Sequence, residues 1–96
     1  MKPATRSVLR LVADERLRQE LIGVEKQARG EAWSTCADPK MAGGDDRRFV
    51  VLAEEFGEVA KAMLDQEPDA NLITELVQVA AVSVAWVEAI QAGRVA

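Results

Sequence analysis

Ninety-six residues, 49% hydrophobic and 29% charged, predict one globular domain: the chain is too short for a second core and too apolar to stay disordered. A formal charge of -4 with no histidine excludes histidine-based zinc sites, Ser-His-Asp triads and Cys-His dyads, leaving carboxylates for any metal or proton chemistry. Cys36 is the one cysteine, so no intrachain disulfide forms, and it is read as an inert loop thiol of a cytoplasmic protein.

Residues 1–31 carry seven bases and five acids, residues 32–96 five bases and eleven acids. Basic character is thus confined to the first segment, and nucleic-acid binding, which needs a dense basic patch, is not expected. That segment interleaves Arg6, Arg10, Asp14, Glu15, Arg16 and Arg18 with its leucines and valines, unlike the unbroken apolar run of a signal peptide. Over residues 5–31, Val8, Leu11, Val12, Leu21 and Val24 fall at helical steps, with Gly23 a weak point inside the helix. Residues 34–46 gather Pro39, Gly43, Gly44 and acidic turn formers and predict a loop. Asp45 or Asp46 then caps a second helix, on which Phe49, Leu52, Ala53, Phe56, Val59, Ala60 and Met63 recur every three or four residues. Glu67-Pro68-Asp69 ends that pattern, and a third helix runs from Asp69 or Asn71 to about Ala92, before Gly93.

The third helix is apolar on nearly every face, the pattern of a helix enclosed on several sides, and a lone subunit could hardly cover it. Valine alternation around Val82 and Val84 also suits a strand, but the length of the run favours helix. Residues 79–87 form an apolar run about half as long as a membrane crossing needs, so a buried segment and no membrane are expected. The predicted fold class is all-α: a helical bundle of about three main helices in a single domain spanning residues 1–96.

With the inward stripe of the second helix centred on Leu52, Phe56, Val59 and Met63, Glu55 lies about 60° and Glu58 about 120° from that centre. Glu54 then points to the far side, near Lys61. Glu55 and Glu58 are helix-surface neighbours with Cβ atoms roughly 5–6 Å apart, so both carboxylates reach one divalent ion. Glu75 and Gln78 repeat the spacing on the third helix, sharing a face with Asn71, Val82 and Trp86. A half-buried, unpaired carboxylate costs several kcal/mol, so a metal or a basic partner is expected beside it. A short connection favours antiparallel packing of helices two and three, which lets the two pairs face each other. A plainer reading stands beside this one: an acid-rich helix also places glutamates three apart on a solvated surface, Glu75 can pair with an arginine of the first helix, and Trp33 and Trp86 can simply be packed.

The order Glu54-Glu55-Phe56-Gly57-Glu58, a Pro/Asp-containing linker, then Glu75-Leu76-Val77-Gln78 resembles the EExxE...ExxD pattern of MazG-like all-alpha nucleoside triphosphate pyrophosphohydrolases. The resemblance covers about half the chain, residues 48–91, and residues 72–90 look particularly like a small MazG-like subgroup. It implies a four-helix-bundle type of fold completed by a homodimer or homotetramer, with active sites near the subunit interface. By the same resemblance Glu55, Glu58, Glu75 and Gln78 hold Mg2+ or Mn2+, while Glu54 holds an additional ion or orients water. The reaction implied converts a nucleoside triphosphate to the monophosphate and pyrophosphate. Gln78 departs from the pattern, standing where the family has aspartate; an amide oxygen can ligate magnesium but removes one charge and cannot serve as a base. Arg48, on the Glu55 side of its helix, and Lys61 are the candidate phosphate contacts, with Lys40 and Arg47 behind them, and Trp33 is the candidate base-stacking residue. The rival functions are a catalytically silent MazG-like helical module that dimerises or binds a partner through its third helix, and a small regulatory or phage-type protein docking through its basic first helix.

Overall fold

Pro3 stands at the first helical position, where its missing N–H costs nothing, and opens α1 (Pro3–Ala28). The computed structural model describes residues 1–96, adding α2 (Gly44–Leu64) and α3 (Asp69–Gln91), with no strand. All three helices stop in the same way. The N–H of Glu31 bonds back to Lys26 O, that of Glu67 to Ala62 O and that of Arg94 to Ala89 O, each at 3.0 Å, with Gly30, Gln66 and Gly93 in the left-handed conformation one residue earlier. This end motif satisfies the last carbonyls and turns the chain sharply. Gln66 is the one non-glycine residue held at positive φ.

Two local expectations need correction. The expected loop over residues 34–46 is a connection over residues 29–43, because Gly30 stops α1 and α2 already begins at Gly44. Neither Asp45 nor Asp46 caps α2; Gly43 holds that position without a side-chain bond, and the Asp45 carboxylate turns to Trp86, Arg48 and Arg94 instead. α1 also runs unbroken through Gly23, which is buried; a Cβ there would lie 3.2 Å from the Trp33 ring, so the glycine admits the indole against the helix.

α3 lies between the other two helices. Both pack on it and not on each other. Ala81, Ala85 and Ala89 form a buried ridge of small side chains that lets neighbours approach closely. The core around it is modest: Cys36, Val82 and Ala85, with Ala37, Met41, Val51 and Leu52 against them. Arg16 of α1 ties to Glu88 of α3 at 2.8 Å. At the other contact, Asp45 near the start of α2 receives Trp86 Nε1 at 2.9 Å and Arg94 Nη2 at 2.9 Å, locking the segment after α3 onto α2.

The inward face of α2 carries Arg48, Val51, Leu52, Glu55, Val59 and Ala62. By helical arithmetic that face is centred about 50° from the predicted stripe. Phe49, Phe56 and Met63 consequently point outward, each more than 60% exposed, while Glu55 comes close to the middle of the packed face. α3, 23 residues long, holds an 18-residue stretch of mean hydropathy 1.6 and is long and apolar enough to cross a membrane, which the apolar run 79–87 alone did not suggest. Here it is the helix on which the other two pack.

Candidate functional site

Because α1 and α2 pack on opposite flanks of α3, a cleft of about 930 Å³ remains between them, floored by Gln78 and Val82 and bounded by the 29–43 connection. Glu15, Arg18 and Lys26 face it from α1, Arg47, Glu54 and Glu55 from α2, and Trp33 from the connection. Trp33, with Ser34 and Thr35, also lines a smaller cavity of about 490 Å³ that includes Arg16, Glu20 and Glu88.

On the α2–α3 side of the cleft, Gln78 joins acids from both helices. With its nitrogen toward them, its side-chain amide donates to Glu75 Oε2 at 3.0 Å and to Glu55 Oε2 at 3.2 Å. The opposite orientation would set a third oxygen against two others, so the amide turns its donors inward. Burial pushes the Glu55 carboxyl above its ordinary range, and the charges of Glu75, Glu54 and Glu58 push it further. Both helices thus deliver a carboxylate to one point, as antiparallel packing predicted. Glu58 is exposed one turn further along, near enough for its charge to reach Glu55. No three acidic or thiol side chains converge closely enough to enclose a metal ion by themselves.

Glu54 is exposed, as expected of its face, and also lines the cleft beside Glu55, two helical turns before Lys61. This follows from the turn of α2 noted above. The two cations expected to meet phosphate sit elsewhere. Arg48 is fully buried: its Nε donates to Cys36 O at 3.0 Å, Nη2 to Asp38 O at 2.7 Å and Nη1 to Asp45 Oδ1 at 2.9 Å. It is on the Glu55 side of α2, as expected, but its donors are spent holding the connection. Lys61 is exposed, lies outside the cleft and pairs with Asp65 at 3.3 Å, which raises its pKa.

Trp33 is 41% exposed, and the Lys26 ammonium sits 3.7 Å from the centre of its ring. Gln27 Nε2 donates to Trp33 O at 2.8 Å, fixing the backbone beneath the indole. Arg18 is paired with Glu15 through two 2.7 Å bonds, which raise its pKa, and also feels the charge of Glu55 across the cleft. Arg47 makes no ion pair and no side-chain hydrogen bond, and neither does Lys26 apart from its ring contact. Arg18 and Lys26 carried no sequence signal, because nothing local tells one α1 cation from another. Arg47 ranks behind Arg48 in the sequence because Arg48 lies on the Glu55 side of the helix, and position on a helix does not show that the Arg48 donors are spent on the connection. Cys36 is buried in the core and its thiol is pushed up by burial, consistent with an inert role.

Comparison with known protein families, with curated proteins and with solved structures finds no match.

Proposed function

We propose that the protein is a magnesium-dependent nucleoside triphosphate pyrophosphohydrolase working in the cleft between α1 and α2. One observation carries the reading: a single cleft joins the carboxylates Glu54 and Glu55 and the Gln78 amide to the unpaired cations Lys26 and Arg47 and an exposed indole. Arg47 and Glu54, seven residues apart, share a face of α2 and are separated by about 10.5 Å along its axis. That span matches a ligand with a polyphosphate.

The donor chemistry fits a hard divalent cation. Glu55 and Glu75 supply carboxylates from two helices, and Gln78 an amide oxygen once its amide turns by half a revolution, with the charge of Glu58 nearby. Mg2+ is commonly held by one or two carboxylates, with substrate phosphates and water completing its shell. When bound, such an ion neutralises charge on the triphosphate and acidifies a coordinated water. Glu54, open to the cleft, is placed to orient the attacking water. Release of pyrophosphate from a panel of nucleoside triphosphates, with Mg2+ or Mn2+, tests the reading; no turnover of any member refutes it.

A second reading, a catalytically silent helical module, draws support from the Gln78 clamp. The amide satisfies Glu55 and Glu75 without any cation. Wild-type inactivity together with turnover in Gln78→Asp would establish it.

Under both readings the working unit is a cytoplasmic homodimer or homotetramer. The chain exposes 6694 Å², against about 5,400 Å² for a compact monomer of 10.4 kDa. Phe49, Val50, Phe56, Met63 and Leu64 on α2, with Ile73, Leu76, Val84, Val87 and Ile90 on α3, contribute to the excess, which is of the size that pairing of two copies buries. Light scattering at micromolar concentration that gives the monomer mass would exclude the assembly.

A further inference from the structure

Six of the twelve cations have an acidic partner within ion-pair distance: Arg16, Arg18, Arg29, Arg48, Lys61 and Arg94. Of those without one, Lys26 and Arg47 line the cleft. They approach it from different elements, Lys26 from the last turns of α1 and Arg47 from the first turn of α2. Lys26 is also the one cation seated on an aromatic face, 3.7 Å from the centre of Trp33. The indole is held in place from behind. Gly23 leaves room for its edge, with a Cβ at that position 3.2 Å from Cδ1, and Gln27 bonds its carbonyl at 2.8 Å. An exposed ring fixed this way loses little freedom when a second flat ring stacks on it.

We propose that Lys26 and Trp33 form a coupled nucleotide reader, in which a bound base takes the ammonium's place on the indole and the released ammonium, with Arg47, engages the phosphates. This rests on the cleft being the nucleotide site proposed above and adds which residues recognise the ligand and how. The exchange makes recognition conjunctive. Bare polyphosphate has no base to lift Lys26 from the ring, and a nucleoside has no anion to receive the ammonium, so each has to displace the cation–π contact without the compensating interaction. A nucleotide supplies both halves.

The test uses the full chain with Mg2+ and a nucleoside triphosphate carrying a non-hydrolysable α,β-methylene bridge, with inorganic triphosphate and the bare nucleoside as comparison probes. Calorimetry gives affinity, and tryptophan fluorescence gives the change at the ring. The nucleotide analogue is expected to bind at least about tenfold more tightly than either comparison probe and to quench fluorescence, with the quench lost in Trp33→Leu. Lys26→Met and Arg47→Met each weaken nucleotide binding about tenfold, and Lys26→Met leaves the bare nucleoside bound as well as or better than before. Trp33 packs against α1, so Trp33→Leu can fail to fold; Lys26→Met keeps the aliphatic stem and breaks no ion pair, and it carries the test alone if needed. Inorganic triphosphate binding as tightly as the nucleotide, or an unchanged nucleotide affinity in Lys26→Met, overturns the inference. Turnover by wild type with unchanged KM in both methionine variants sinks the reader while sparing the hydrolase. Absence of turnover with the binding pattern intact does the reverse.

Discussion

The side-chain nitrogen of Gln78 lies 3.2 Å from Glu55 Oε2 across the α2–α3 contact, and its second donor meets Glu75 Oε2 at 3.0 Å. A neutral amide therefore occupies the place between two acids where a cation would otherwise have to balance them. Its two donors hold apart carboxylates that would repel one another at this separation.

Replacing that amide tests what the position does. Gln78→Asp exchanges the two donors for a third negative charge, so the metal-free protein melts at a lower temperature than wild type. Saturating Mn2+ raises the melting temperature of the variant more than that of wild type, because binding to the folded state alone stabilises by about 2.7 kcal/mol at a hundredfold excess over Kd. Scanning fluorimetry with chelator and with Mn2+ makes the comparison. Equal shifts in the two proteins would remove Gln78 from the metal's surroundings.

Glu55 sets a pH dependence whose sign follows from its burial. Its carboxyl is held above the ordinary value of 4.5 by burial and then by the charges of Glu75, Glu54 and Glu58, so the folded chain binds this proton more tightly than the unfolded chain. The stability contributed by the protonated group is complete below pH 4.5 and is lost as pH rises through the raised value. Glu55→Gln removes that loss. In chelator, urea midpoints for wild type and variant should converge at low pH and separate above it, with the variant more stable at neutrality.

Asp45 acts in the opposite direction. Its carboxyl is held below the usual range by bonds from Arg94, then Trp86 and Arg48, against the opposing effect of burial. Its contribution is present above the ordinary carboxylate value and is lost as pH falls through the lowered one. Asp45→Asn weakens the Arg94 tie, and residues 94–96 should show faster amide exchange than in wild type, with the change confined to pH values at which wild-type Asp45 is ionised.

Arg48 is a structural cation, and its replacement should read as such. Arg48→Met leaves Cys36 O and Asp38 O without their donors and Asp45 without one of its partners, at a cost of about 3 kcal/mol. Arg48→Lys cannot restore three bonds from one planar fork. Urea denaturation measures both, and nucleotide affinity extrapolated to fully folded protein should not change.

Phe56 projects from α2 at 61% exposure, in line with Phe49 and Met63 at seven-residue intervals. If this row meets a second copy, Phe56→Glu weakens association roughly 30-fold, as loss of a central aromatic anchor does, while leaving the helical content intact. Concentration-dependent light scattering with circular dichroism separates the two effects.

Much of the fold is legible in the chain itself. Pro39, Gly43, Gly44, Pro68 and Gly93 punctuate it and set off three long periodic stretches, because helix ends are local chemistry written in single residues. The meeting of Glu55 with Glu75 and Gln78 was also readable, since three-residue spacing and a short connection between α2 and α3 leave few other arrangements. The rotation of α2 was not. Sequence periodicity marks where apolar side chains recur but cannot say whether they meet this chain or something outside it, and here Phe49, Phe56 and Met63 are outside while Arg48 and Glu55 are in. Only tertiary packing decided that Arg48 serves the connection and not the cleft, that Gly23 makes room for Trp33, and that Lys26, Arg47 and Trp33 line one cleft. Those contacts join residues from separate elements, and the free energy that selects them comes from burial over α3, a property of the assembled surfaces that no single stretch of the chain contains.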